Sequence, residues 1–170
     1  MRHWLYRFWL VTLGALLLQT IYYWMRLPAE IASHFDLHGN PDSWSSTTSF
    51  IILWLFAIAV INVWPIIVGP LLRKLPPSMI NTPNKDFWLS NDRRRDRFIS
   101  TVRAILGGCI GGANIMLFIA FYETYRFNIT GAGEVTIWFG LGIEMAVTTF
   151  SVLWGIHALR NPGERAVTSS

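Results

Sequence analysis

The chain is short of charge. Only 14% of its 170 residues are Asp, Glu, Lys or Arg, against about 25% in a typical soluble domain. Charge is nearly absent from long stretches and concentrated between them, which excludes an ordinary water-soluble globule and points to a membrane chain. Cysteine is almost missing as well. Cys109, inside an apolar stretch, is the single thiol, which excludes an intramolecular disulfide and a metal–thiolate cluster. The chain has no His-Glu-x-x-His, no nucleophilic Ser–His signature and no glycine-rich phosphate loop, so the common marks of hydrolytic and phosphate-binding chemistry are lacking. Internal repeats and low-complexity tracts are also lacking.

What is present is hydrophobic length. A spanning helix needs about 20 largely apolar residues, and windows 4–25, 50–70, 101–122 and 135–159 each qualify. The expected fold is therefore all-α, one integral membrane bundle of four transmembrane helices over residues 1–170. The first window is read as a retained anchor. It is too long and too aromatic at Tyr22, Tyr23 and Trp24 for a cleavable signal peptide, and no small-x-small cleavage site follows it.

Lys and Arg set the expected orientation. Twelve of the fourteen lie at the N-terminal end, in the connection 71–100 and its edge, or in the C-terminal tail with Arg160 and Arg165. Arg26 and Arg126 alone occupy the two other connections. The positive-inside rule then places both termini and the basic connection in the cytoplasm, N-in and C-in, and the loop 26–49 outside. The net charge of +4 serves topology and anionic lipid, not nucleic acid. Trp4, Trp9, Tyr22, Tyr23, Trp24, Tyr122 and Tyr125 fall near span ends, where amphipathic rings favour the headgroup level.

Polar residues inside hydrocarbon each need a reason. Counting about 1.5 Å per residue from the cytoplasmic ends puts Gln19, Asn114 and Glu144 at a shared level of about 20–22 Å, with Asn62 lower at about 14 Å. This predicts a polar belt of Gln19, Asn114 and Glu144, the carboxyl being protonated or bonded by the two amides. Gly107, Gly108, Gly111 and Gly112 let another backbone come close. The fourth helix is expected there, bringing Glu144 to Asn114, and a homo-oligomer contact is the other use of the same stripe. Pro65 is expected to kink the second span.

The loop 26–49 holds the run Leu27-Pro28-Ala29-Glu30-Ile31-Ala32-Ser33-His34-Phe35-Asp36-Leu37-His38-Gly39-Asn40-Pro41-Asp42. Pro28 and Glu30 suit the start of a short helix, and Gly39 to Asp42 is turn chemistry. On a helix His34 and His38 share a face, and with Asp36 or Asp42 they form a candidate divalent-metal site, His34, His38 and Asp42 being the ligand set. The other reading is a structural or signal-binding loop. In the basic connection, Asn81, Pro83, Asn84, Lys85 and Trp88 suggest a structured turn against the headgroups. Arg93, Arg94, Arg95 and Arg97 follow, suited to anionic lipid or to an acidic cytoplasmic partner.

The pattern Leu-Pro-x-x-Ile-x-x-His-Phe-x-x-x-Gly-x-Pro-Asp after a first span resembles a bacterial membrane family of unknown function related to the toxin-immunity protein SdpI. Ile80 to Leu89 resembles a second segment of that family, Asn-x-Pro-Asn-Lys-x-Tyr-Trp. Two departures are Ala32, where the family often has proline, and Asp92-Arg93-Arg94, where it has glutamate in an acidic-Arg-Arg run. The resemblance implies a multi-pass protein of the bacterial cytoplasmic membrane, SdpI-like, acting in envelope sensing or toxin protection. The loop residues His34, Asp36, His38 and Asp42 would meet the signal, and the basic connection would report it. Two alternatives stand beside it: a membrane-embedded metal-dependent hydrolase, and a small transporter subunit whose belt includes Glu144.

Overall fold

The computed structural model describes residues 2–131 and 138–161. In chain order they form α1 (Arg2–Trp24), a hairpin of β1 (Glu30–Phe35) and β2 (Pro41–Ser46), α2 (Thr47–Asn62) and α3 (Trp64–Lys74). A 3₁₀ turn (Pro77–Met79), α4 (Lys85–Trp88), α5 (Asp92–Thr130) and α6 (Trp138–Arg160) complete the order. Among the described residues, four helical stretches are long and apolar enough to cross a membrane: Trp4–Trp24, Thr47–Lys74, Asp92–Thr130 and Trp138–Arg160. The molecule is thus a mainly helical, multi-pass membrane bundle. Residues 135–137, where the fourth span was expected to begin, and Arg165 in the tail lie outside the described residues.

α5 is the axis of the bundle. Its 39 residues extend about 58 Å, nearly twice the roughly 30 Å hydrocarbon core. The window 101–122 underestimates it because apolarity ends at the membrane, whereas a helix ends at its caps. At one end the Asn91 side chain accepts from the Arg94 N–H at 3.0 Å. At the other, Gly131 takes a left-handed conformation (φ 63°) and donates to Phe127 O, the usual glycine stop.

The glycines of α5 are used inside the chain. Gly107 and Gly111 meet α1, where a Cβ at 111 would lie 2.5 Å from the Phe8 ring. Gly108 and Gly112 meet α6, where a Cβ at 108 would lie 2.2 Å from Ser151 Oγ. All four are buried against α1 and α6 within the chain.

The second span is broken. α2 ends at Asn62 and α3 restarts at Trp64, with Pro65 in its first turn, where a missing N–H costs least. Arg103 of α5 donates to Pro65 O at 2.9 Å. α2 meets its neighbours along one side, with Ile51 and Ile58 buried and Trp54 both donating to Thr20 Oγ1 of α1 at 3.2 Å and packing on Phe121 of α5. Its start is continuous with the hairpin: Ser46 is the last residue of β2 and also the N-cap of α2, accepting from Ser49 N–H.

The loop 26–49 is the main correction to the expected architecture. Instead of a short helix, Glu30–Phe35 pairs antiparallel with Pro41–Ser46, Ala32 opposite Trp44 and His34 opposite Ser43, with irregular register around His34. Ile31 and Ala32 are fully buried, a burial that an isolated helical turn would not provide. Gly39, at φ 84°, supplies the left-handed turn that reverses the chain.

The basic connection is also structured. Ile80, Trp88, Phe98 and Ile99 form a buried apolar cluster, flanked by Leu72, Leu75, Phe87 and Leu159. Arg95 donates to the Leu72 and Leu75 carbonyls at the end of α3, filling positions that a helix terminus leaves open.

Candidate functional site

The hairpin stands against the end of α5. Asn128 donates from Nδ2 to Ala32 O at 3.0 Å and accepts from Ala32 N–H at 2.7 Å. Phe35 packs edge-on against Phe127, centroids 5.2 Å apart. Between hairpin and helices lies a cleft of about 250 Å³, lined by residues 33–37 of the hairpin, Ala120 and Thr124 of α5 and Trp138 of α6.

The structure places His34, Asp36, His38 and Asp42 as two pairs. His34 Nδ1 lies 2.5 Å from Asp42 Oδ1, across the hairpin, and both side chains are open to solvent. With its proton on Nδ1 the ring donates to Asp42 and leaves Nε2 as an acceptor for a ligand. His38 Nδ1 lies 3.8 Å from Asp36 Oδ2. Asp36 shapes the turn: its Oδ1 accepts from the backbone N–H groups of His38 (2.8 Å) and Asn40 (2.9 Å). Chiefly the Asn40 N–H, then the Asn40 amide and the His38 N–H, hold its carboxyl below the ordinary carboxylate range against a smaller opposing effect of desolvation.

The expected triad of His34, His38 and Asp42 is not assembled, and among the described residues no three of His, Cys, Asp and Glu come together as a metal-holding group. The reason is the strand: four residues apart on a helix share a face, but here His34 lies in β1 and His38 in the turn beyond it. Ser33 lines the cleft, yet its hydroxyl makes no hydrogen bond to His34 among the described residues. The cleft therefore offers the aromatic surface of Phe35 and Trp138 beside His34, whose ring is held from outside the cleft by Asp42.

The polar belt resolves into separate clusters. Asn62 and Asn114 bond reciprocally, each amide N donating to the other's Oδ1 at 3.0 Å. Trp9 Nε1 donates to Asn62 Oδ1 at 2.7 Å, and Asn114 Nδ2 reaches Thr12 Oγ1 at 3.4 Å. Gln19 lies one turn further along, donating to Phe118 O at 2.9 Å. Glu144 is elsewhere, accepting from Thr148 Oγ1 at 2.8 Å on the seam between α5 and α6. Helical geometry explains the split, since Gly112 meets α6 and residue 114 points about 200° away from it. Asn62, the last residue of α2, is buried and reaches Asn114 directly across the bundle.

The motif in the basic connection closes on α6. Asn84, at φ 52°, donates to Arg160 O at 2.7 Å, and Trp88 Nε1 donates to Leu159 O at 2.9 Å. Pro83 and Lys85 flank that turn, and Asn81 is exposed. Arg94 stacks over Phe87 at 4.1 Å, while Arg93 is exposed.

Sequence reasoning missed Asn128 and the roles of Arg95 and Trp9. Trp9 is 2% exposed, an interior donor instead of an interfacial anchor; its spacing from Leu5 and Leu16, also buried, was the available signal. No curated protein and no solved structure matches the chain. Residues 10–61, which run from α1 through the hairpin into α2, are similar to the family described as Domain of unknown function (DUF1648), a domain found in membrane proteins.

Proposed function

We propose that the chain is a non-enzymatic, SdpI-like protein of the bacterial cytoplasmic membrane, with its basic end in the cytoplasm. It meets an extracytoplasmic signal or toxin at the hairpin cleft and reports through the basic connection. The observation that carries this reading is the span of α5. One uninterrupted helix is bonded to the hairpin through Asn128 and to the end of α3 through Arg95, so both faces of the bundle share a rigid element. Exposed His34 and Asp42 supply recognition groups at one end. Exposed Arg93 supplies positive charge for an acidic partner at the other.

Survival of a bacterial host challenged with a panel of pore-forming peptides tests this. Expression should raise survival against at least one peptide. His34→Ala and Asp42→Asn should remove that gain at unchanged membrane levels. Arg93→Gln should leave protection intact and abolish any transcriptional response. Equal survival of His34→Ala and the parent chain would overturn the assignment of the hairpin.

A further inference from the structure

A furrow of about 470 Å³ runs between α1 and the α2–α3 pair, walled by Leu10, Leu13 and Leu17 on one side and Leu55, Ala59 and Ile66 on the other. Its floor contains Trp9 and Asn62. Asn62 has no bonding capacity left for a solute. Its oxygen accepts from Trp9 and Asn114, and its nitrogen donates to Ile58 O and Asn114, which fills the positions an amide offers. The furrow is thus functionally apolar, despite the asparagine beneath it.

Its shape selects the occupant. From Leu55 to Ile66 it extends about 16 Å, roughly half of the ~30 Å hydrocarbon core. A helix 10 Å across would need about 1,250 Å³ over that length, far more than the furrow holds, whereas an acyl chain is a single file of methylenes. Lipid tails have no intrinsic preference for one apolar surface over another, so retention of a particular lipid must come from its headgroup.

The basic end of the furrow supplies that group. Arg103 donates from Nε to Pro65 O at 2.9 Å and from Nη2 to Tyr6 Oη at 3.4 Å, and Tyr6 packs edge-on against Trp9 at 5.1 Å. Gly69 leaves room for the arginine, since a Cβ there would lie 3.2 Å from Arg103 Cδ. Nη1 of Arg103 has no hydrogen-bond partner among the described residues. Arg7 follows Tyr6 on α1 and Lys74 ends α3, five residues past Gly69; both are exposed, and neither is in an ion pair among the described residues. The neighbouring carboxylate, Asp96, is already held by Arg73 at 2.9 Å.

We propose that this furrow seats one acyl chain of an anionic phospholipid, whose phosphate is drawn to Arg103 and flanked by Arg7 and Lys74. The tail fills the seam that α2 leaves open, and the headgroup fixes which lipid stays.

Native mass spectrometry of the detergent-purified full chain, incubated with phosphatidylglycerol or phosphatidylcholine of equal chain length, tests the proposal. One phosphatidylglycerol per chain should be retained about fivefold better than phosphatidylcholine, the preference expected from one surface cation. Ala59→Trp, a change on an exposed furrow wall, should abolish retention of both lipids. Arg103→Gln should remove the preference while a lipid is still retained. If that variant fails to fold, the exposed pair Lys74→Gln and Arg7→Gln should lower the preference instead. Equal retention of the two lipids by the parent, or unchanged retention in Ala59→Trp, would overturn the proposal. So would a dimer of the parent chain that Ala59→Trp dissociates, which would assign the furrow to a second copy.

Discussion

Asn128 of α5 binds both the N–H and the C=O of Ala32, at 2.7 and 3.0 Å, so one amide side chain serves a strand residue as a neighbouring strand would. Only a group with a donor and an acceptor on one plane can do this, and Ala32 is fully buried, out of reach of water.

Asn128→Ala should therefore destabilise the hairpin by about 1–3 kcal/mol, the penalty for leaving buried polar groups unpaired. Asn128→Asp should also fail, because a carboxylate cannot donate to Ala32 O. Limited proteolysis of the 27–46 segment in detergent would read this directly. Equal protection of wild type and both variants would show that the hairpin is held by packing alone.

The reciprocal Asn62–Asn114 pair should behave as a unit. Asn62→Leu strands the Trp9 indole and the Asn114 amide, and Asn114→Leu strands Asn62. The double substitution should cost less than the sum, with a coupling near the ~0.6 kcal/mol average for bonds within membranes. A thermal-unfolding cycle in detergent measures it. Strict additivity would mean that the two amides act independently.

At the basic end, Trp88→Phe keeps an aromatic ring in the buried cluster and removes the Nε1 bond to Leu159 O, a loss of about 1 kcal/mol. Asn84→Ala removes the bond to Arg160 O and places alanine at a positive φ, where it is strained. Faster amide exchange in the last turn of α6, with the spans unaffected, is the expected signature for both variants.

Acid should act on the turn through Asp36. Its folded-state pKa lies below the ordinary value of 3.8, so its contribution is fully present above that value and is lost as pH falls through the lower folded one. Amide protection at Asn40 should stay constant between about pH 7 and 5 and fall only in stronger acid, and Asp36→Asn should remove that dependence. A transition centred near pH 6 would assign the effect to a histidine instead.

The membrane character was legible because an apolar run long enough to span a bilayer has few other uses, and the cap at Asn91 and the stop at Gly131 were readable in principle. The hairpin was not. His34 and His38 are compatible with a helix or with a strand and turn, and Asn128, the residue that decides, is 96 positions from Ala32. The belt failed for a different reason. Residue count fixes depth along a helix, but azimuth decides which neighbour is met, and Asn114 and Gly112 point to different neighbours. For Trp88 and Asn84 the motif marked a structured turn, while the carbonyls it serves, those of Leu159 and Arg160, become available only once α6 has folded against α5.

Ser46 closes β2 and caps α2 with no intervening linker, and Thr47 is tied back to Pro28 O and Ala29 O. Hairpin and helix therefore move as a handle on a shaft, without slack to absorb a push. Along its length α2 is anchored as well, through Trp54 to Thr20 of α1 and through Asn62 to Trp9 and Asn114. The break at Val63 then marks where this continuous unit ends and α3 begins.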